Sequence, residues 1–95
     1  MEEFKISIEK HHPARRSFYE LLCTVIYPEP PEIHIDYHNR ARDHLIDWLA
    51  FNMLELCDVE SIGFEVNRDK GMWTSYFKVN FTSREDLSLF LLTFN

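Results

Sequence analysis

Only two glycines, Gly63 and Gly71, occur in the 95 residues, and neither lies in a glycine-rich turn before a helix. A loop that cradles phosphate with backbone N–H groups is therefore excluded. Cysteine is as scarce. Cys23 and Cys57 lack the close spacing of a zinc or redox pair, and the apolar neighbours Leu22 and Leu56 mark both as reduced, buried thiols rather than activated nucleophiles. None of the serines sits in a strand–turn–helix nucleophile motif. No segment approaches the roughly 20 apolar residues that a bilayer span requires. The opening Met1-Glu2-Glu3 is acidic where a secretory signal is basic, so the expected location is cytoplasmic.

Positive charge is also in deficit. Ten Lys and Arg face sixteen Asp and Glu, a net charge of −6, which disfavours non-specific binding to nucleic acid or an anionic membrane. The acids read as dispersed, interleaved with Arg15, Arg16, Arg40, Arg42, Arg68 and Arg84, unlike the dense carboxylate rows of a DNA mimic. A basic protein surface is the natural counterpart.

What the chain does contain is apolar and aromatic. At 45% apolar and 15% aromatic residues it is too hydrophobic for disorder and is expected to form one domain over residues 1–95. The strongest pattern runs from Asn39 to Cys57, where Leu45, Trp48, Leu49, Asn52, Met53 and Leu56 recur at helical spacing, with Asn39 as cap. Ile46, Ala50, Phe51 and Leu54 widen its apolar surface beyond one stripe. Such a helix touches neighbours on two sides.

Phe4, Ile6 and Ile8 alternate with polar residues and predict a strand. Residues 14–27 fit helix or strand, and helix is the favoured reading through Phe18, Leu21, Leu22, Val25 and Ile26. Pro28-Glu29-Pro30-Pro31 predicts an extended link. The alternation of Ile33, Ile35 and Tyr37 predicts a second strand over 32–38. Ile62, Phe64 and Val66, the polar turn 67–71, and Trp73, Ser75, Phe77, Val79 and Phe81 predict a hairpin. Thr82 and Glu85 have capping-box spacing before a final helix carrying Leu87, Phe90, Leu91 and Phe94. The sum is an α+β fold: a small antiparallel sheet of about four strands, two or three helices packed on it, and a partly ferredoxin-like order.

Chemistry is weakly encoded. On a strand, His34, Asp36 and His38 would project from one face with Asp43 and His44 nearby, a set able to ligate a divalent ion, although a solvated strand face gives the same pattern. Neither a metal nor a cofactor is expected, and the chain reads as a non-enzyme. Recognition is better supported. The surplus of Tyr19, Tyr27, Tyr37, Phe51, Met72, Trp73 and Tyr76 exceeds what a domain this small needs. Asp36, Tyr37, Glu65, Asp69, Met72 and Tyr76 are the candidate partner-binding residues. The leading expectation is a small acidic inhibitor or antagonist that occludes a basic or catalytic surface of another protein, in the manner of immunity proteins and phage anti-defence proteins. The alternatives are a homodimer formed through 39–57 and a metal-binding domain using His34, Asp36 and His38.

Overall fold

In a computed structural model, which describes residues 4–9, 20–29 and 34–94, alternating side chains account for the hairpin first. Strands β1 (Lys5–Ile8), β2 (Glu20–Pro28), β3 (Asp58–Asn67) and β4 (Met72–Asn80) are joined by helices α1 (His34–Asn52) and α2 (Arg84–Phe94). On β4, Trp73, Ser75, Phe77 and Val79 are fully buried against the helices, while Met72, Thr74, Tyr76, Lys78 and Asn80 are half-buried on the other face. The turn between β3 and β4 closes through the Lys70 N–H on Asn67 Oδ1 (3.2 Å) and the Gly71 N–H on the Arg68 carbonyl (3.3 Å). Gly71 there has φ 62°, a conformation that glycine adopts without a Cβ penalty.

The sheet order is β1-β2-β4-β3, and every neighbouring pair is antiparallel. Because β2 and β3 both run against β4, they are parallel to each other, and β2-α1-β3 is a βαβ unit split by an inserted strand. From β2 onward the elements follow the ferredoxin-like order. The strand that would follow α2 in that order is replaced at the sheet edge by β1, which comes first in the chain. The fold is an α+β sandwich, as expected.

Three elements differ from the sequence reading. Residues 20–27 of the segment read as helix belong to β2, which runs on to Pro28; the rest of that segment lies outside the described residues. The β-branched run Thr24-Val25-Ile26 decides the outcome, and a central strand with apolar residues on both faces imitates a helical stripe. The strand expected over 32–38 is instead the start of α1 from His34; residues 32 and 33 are outside the description. Five alternating residues are outweighed by His38, Ala41, Leu45 and Leu49, which recur at three and four and are all buried. Asn39 is consequently an exposed residue inside the helix rather than its cap. At the other end α1 stops at Asn52, not Cys57. The cap of α2 is Ser83, one residue beyond the expected Thr82. Its Oγ accepts the Asp86 N–H (3.3 Å), whereas Thr82 donates to the Leu56 carbonyl (3.2 Å).

One irregularity shapes the β3 edge. Ser61 pairs with Phe77 and Gly63 with Tyr76, so Ile62 is an inserted bulge residue. The insertion moves Ile62 out of the face that it was expected to share with Phe64 and Val66, leaving it 56% exposed.

The core lies between sheet and helices. Val25, Phe77, Val79, Leu45 and Phe90 are fully buried, and Trp48 on α1 meets Phe90 (5.6 Å) and Phe94 (4.8 Å) of α2 edge-on. Phe90 also contacts Phe81 at 5.4 Å, so one ring joins both helices to the end of the sheet. Phe90→Ala is expected to cost about 3–5 kcal/mol, read as a lower urea midpoint at unchanged slope.

Candidate partner-binding surface

The six residues singled out from sequence do not form one surface. Glu65, Met72 and Tyr76 share the sheet face turned away from the helices, and Asp69 sits exposed in the adjoining turn. Asp36 and Tyr37 belong to the first turns of α1, across the sheet. The Tyr37 ring lies 5.3 Å from that of Tyr27 and 5.0 Å beneath the Arg40 guanidinium.

The face turned away from α1 and α2 is occupied by contacts of its own. The Tyr76 hydroxyl donates to Glu65 Oε1 at 2.5 Å, which pushes the phenol up to about 12. The Lys78 ammonium bridges Glu60 (3.1 Å) and Glu20 (3.6 Å), linking three strands. Ser7 and Thr24 share a hydroxyl hydrogen bond of 2.7 Å. Alternation along β4 correctly grouped Met72 and Tyr76, but their polar neighbours are satisfied within the sheet.

The metal reading loses its geometric basis. Two-residue steps on a helix turn about 200°, so Asp36 and His38 diverge: Asp36 is exposed and His38 is buried. The His38 ring stacks on Phe77 (5.0 Å) and leans on Phe64 (5.5 Å). Its Nδ1 lies 2.9 Å from Ser75 Oγ, which accepts the Trp73 indole N–H at 2.8 Å. Indole can only donate, so Ser75 Oγ accepts from Trp73 and keeps one lone pair and its proton to meet His38 Nδ1. Burial, and secondarily the Arg42 guanidinium, hold its pKa below the usual imidazole range. His38 thus holds α1 to β4 as a neutral residue. Among the described residues, no three His, Cys, Asp or Glu side chains gather as a cation site.

The cysteines differ from each other. Cys23 is fully buried and its thiol is pushed to about 12 by desolvation. Cys57, expected to be buried, is half-exposed, and burial together with the Asp86 carboxylate raises it to about 11. Neither thiol is activated as a nucleophile.

A different surface has the properties of an interface. Where α1 ends, Met53–Cys57 turn back towards β3, and the buried carboxylate of Asp86 accepts the N–H groups of Leu54 (2.9 Å, Oδ1) and Glu55 (3.0 Å, Oδ2). This clamp fixes the turn. On it, Leu54 is 82% and Leu56 90% exposed, and Phe51 on the preceding turn is 89% exposed. Beside them an apolar groove of about 270 Å³ is lined by Ile46, Leu49, Ala50, Met53, Leu56 and Val59. Large apolar side chains held outward by a buried, fully satisfied hydrogen-bond pair are not collapse defects; they are presented.

Part of the negative charge accompanies this surface: Asp43 and Asp47 on α1 and Glu55 in the turn are exposed, while Asp58, Glu60 and Glu65 pair with Asn80, Lys78 and Thr74 and share the other sheet face. Between Arg42 and Arg68 the chain has no Lys or Arg but has Asp43, Asp47, Glu55, Asp58, Glu60 and Glu65, all exposed. Ten acids and ten bases make up the remainder, so the entire net charge of −6 resides in this stretch. The acids are therefore concentrated rather than dispersed. That signal was available in the sequence from the spacing of the arginines, whereas the exposure of Leu56 was hidden by extending the helix to Cys57.

No helix among the described residues is long and apolar enough to cross a membrane. Comparison of the chain with protein-family models, curated proteins and solved structures gave no match.

Two predictions follow from this chemistry. Because the folded-state pKa of His38 lies below the unfolded value of about 6.5, the unfolded chain binds a proton that the folded chain does not. Its contribution to stability is full above about pH 6.5 and declines as pH falls below it. Urea midpoints between about pH 7.5 and 5.5 should fall less in His38→Phe than in the wild type, the difference isolating this residue from the other histidines. Asp86→Ala removes both acceptors of the clamp and is expected to cost about 1.5–3 kcal/mol. Hydrogen exchange should accelerate first at Leu54 and Glu55, with Asp86→Asn intermediate because its amide retains one carbonyl oxygen.

Proposed function

We propose that the chain is a small acidic protein-binding protein, acting as an inhibitor or antagonist that occludes a basic or catalytic surface of a partner, as immunity proteins and phage anti-defence proteins do. The observation that carries this reading is the clamped turn: Leu54 and Leu56, 82% and 90% exposed, stand in a stretch, residues 43–67, that contains six acidic residues and no basic one. Apolar anchors supply contact energy, and surrounding carboxylates steer a basic partner and reject acidic ones. Catalysis is not part of the reading: among the described residues, buried His38 and Cys23 serve packing and buried Asp86 holds the turn.

Self-association through the same surface is favoured by the exposed leucines and opposed by the charge. A two-fold contact would bring Asp43, Asp47 and Glu55 of each copy together without a cation from residues 43–67 of either. The heterologous partner is therefore preferred.

The test compares partner capture by the wild type, by Leu54→Ala with Leu56→Ala, and by Met72→Ala with Tyr76→Ala on the opposite sheet face. The first pair should lose the partner and the second should keep it. Both leucines are exposed, so the double variant should unfold at the wild-type urea midpoint to within about 0.5 kcal/mol. Association should slow as salt rises from about 0.1 to 1 M, where the screening length falls from about 10 to 3 Å. Unchanged capture by the leucine double variant rejects this surface, and a salt-insensitive dimer in sedimentation rejects the heterologous reading.

A further inference from the structure

We infer that the partner segment received by this surface is an amphipathic helix with a basic flank, seated in the groove between the C-terminal half of α1 and the start of β3. The inference rests on the protein-binding reading above and specifies the occupant. Ile46 and Ala50 lie on one stripe of α1, with Asp43 one turn earlier on the same stripe and Met53 just past the helix end. Leu56 and Val59 form the opposite wall. A ridge of side chains at helical spacing fits such a trough, with anchors at i, i+3 or i+4, and i+7.

The competing occupant is an extended strand added to β3, and the fold discourages it. β3 is a ten-residue edge strand, long enough to recruit another chain. Its bulge, however, splits the regular register into Asp58–Ser61 and Gly63–Asn67, with Gly63 at φ 157°. An added strand would meet a break in the row of N–H and C=O groups near its middle, a common way in which natural sheets blunt their edges. The groove beside it has no such interruption.

The electrostatics select the sign. Asp43 and Asp47 lie on α1 and Glu55 lies in the turn, all exposed. The last turn of α1 contains no basic residue, so the partial negative charge of its terminal carbonyls faces the Met53–Cys57 turn without a cation of its own helix. Asn52 Nδ2 caps only the Trp48 carbonyl, at 2.8 Å. Lys or Arg on an incoming helix would answer both features.

The probes are three synthetic peptides of equal length: Leu and Lys at helical period, Leu and Lys strictly alternating, and Leu and Glu at helical period. Affinity is measured by calorimetry and the contact mapped by amide chemical shifts on the full chain. The helical Leu/Lys peptide should bind at least about tenfold more tightly than either control. Its shifts should centre on Ile46, Ala50, Met53, Leu54 and Leu56, and Leu54→Ala with Leu56→Ala should weaken it by a similar factor. Preference for the alternating peptide, with shifts along β3, would establish strand addition and overturn the helical occupant. Equal binding of the Leu/Glu peptide, absence of binding by all three, or a dimer occupying the groove in sedimentation would also overturn it. If partner capture depends on Leu54 and Leu56 while the helical peptide fails, the surface stands and only its occupant is wrong. If capture is indifferent to those leucines, the protein-binding reading itself fails at this surface.

Discussion

The Asp86 carboxylate is the interaction on which the far end of the molecule depends. It projects from the third residue of α2 into a site where it is 2% exposed, and there it accepts two successive backbone N–H groups from a turn more than thirty residues earlier. A buried carboxylate without partners would be costly; with two charge-assisted hydrogen bonds it becomes a fixed point. Three consequences come from that point. The chain leaving α1 is turned towards β3, the start of α2 is docked against the end of α1, and Leu54 and Leu56 are denied a route back into the core. Ser83 supports the arrangement by capping the same turn that supplies the carboxylate. The anchoring is inside while the display is outside.

A second constraint acts at the β3 edge. Without a bulge, Ile62 would lie on the same face as Phe64 and Val66, and β3 would offer ten regular residues to any passing strand. With it, Phe64 still stacks on Trp73 at 4.5 Å and closes the side of the His38 site, while Ile62 is turned outward. The insertion keeps the half of β3 nearest the turn in phase with the core and spoils the edge for polymerisation. A small domain with exposed leucines needs such a device, because its apolar surface would otherwise find another copy of itself.

Legibility in the sequence followed the number of faces that each element buries. The β3–β4 hairpin and α2 each bury one face, so alternation and the three-to-four repeat identified them. β2 sits inside the sheet with Leu22 and Ile26 half-buried on one side and Leu21, Cys23, Val25 and Tyr27 buried on the other, and that double coverage erased its alternation. The start of α1 failed for the opposite reason: Ile33, Ile35 and Tyr37 alternate over too short a span to compete with the helix that continues from them. For the site, local pattern placed Glu65, Met72 and Tyr76 near one another but could not separate them from Asp36 and Tyr37. The Asp86 clamp joins positions 31 and 32 residues apart and leaves no local trace. The charge segregation did leave one, in the arginine-free interval, and was missed because the acids were weighed over the whole chain.

Segregated charge reconciles two properties that otherwise conflict. Exposed Phe51, Leu54 and Leu56 invite association, and the cheapest partner for any chain in a cell is the copy made beside it. Residues 43–67 hold six carboxylates and no cation, with Asp43 and Asp47 on α1 and Glu55 in the turn, so a copy docking on the leucines would meet like charge. On the proposed reading, those three carboxylates steer a basic partner towards the leucines.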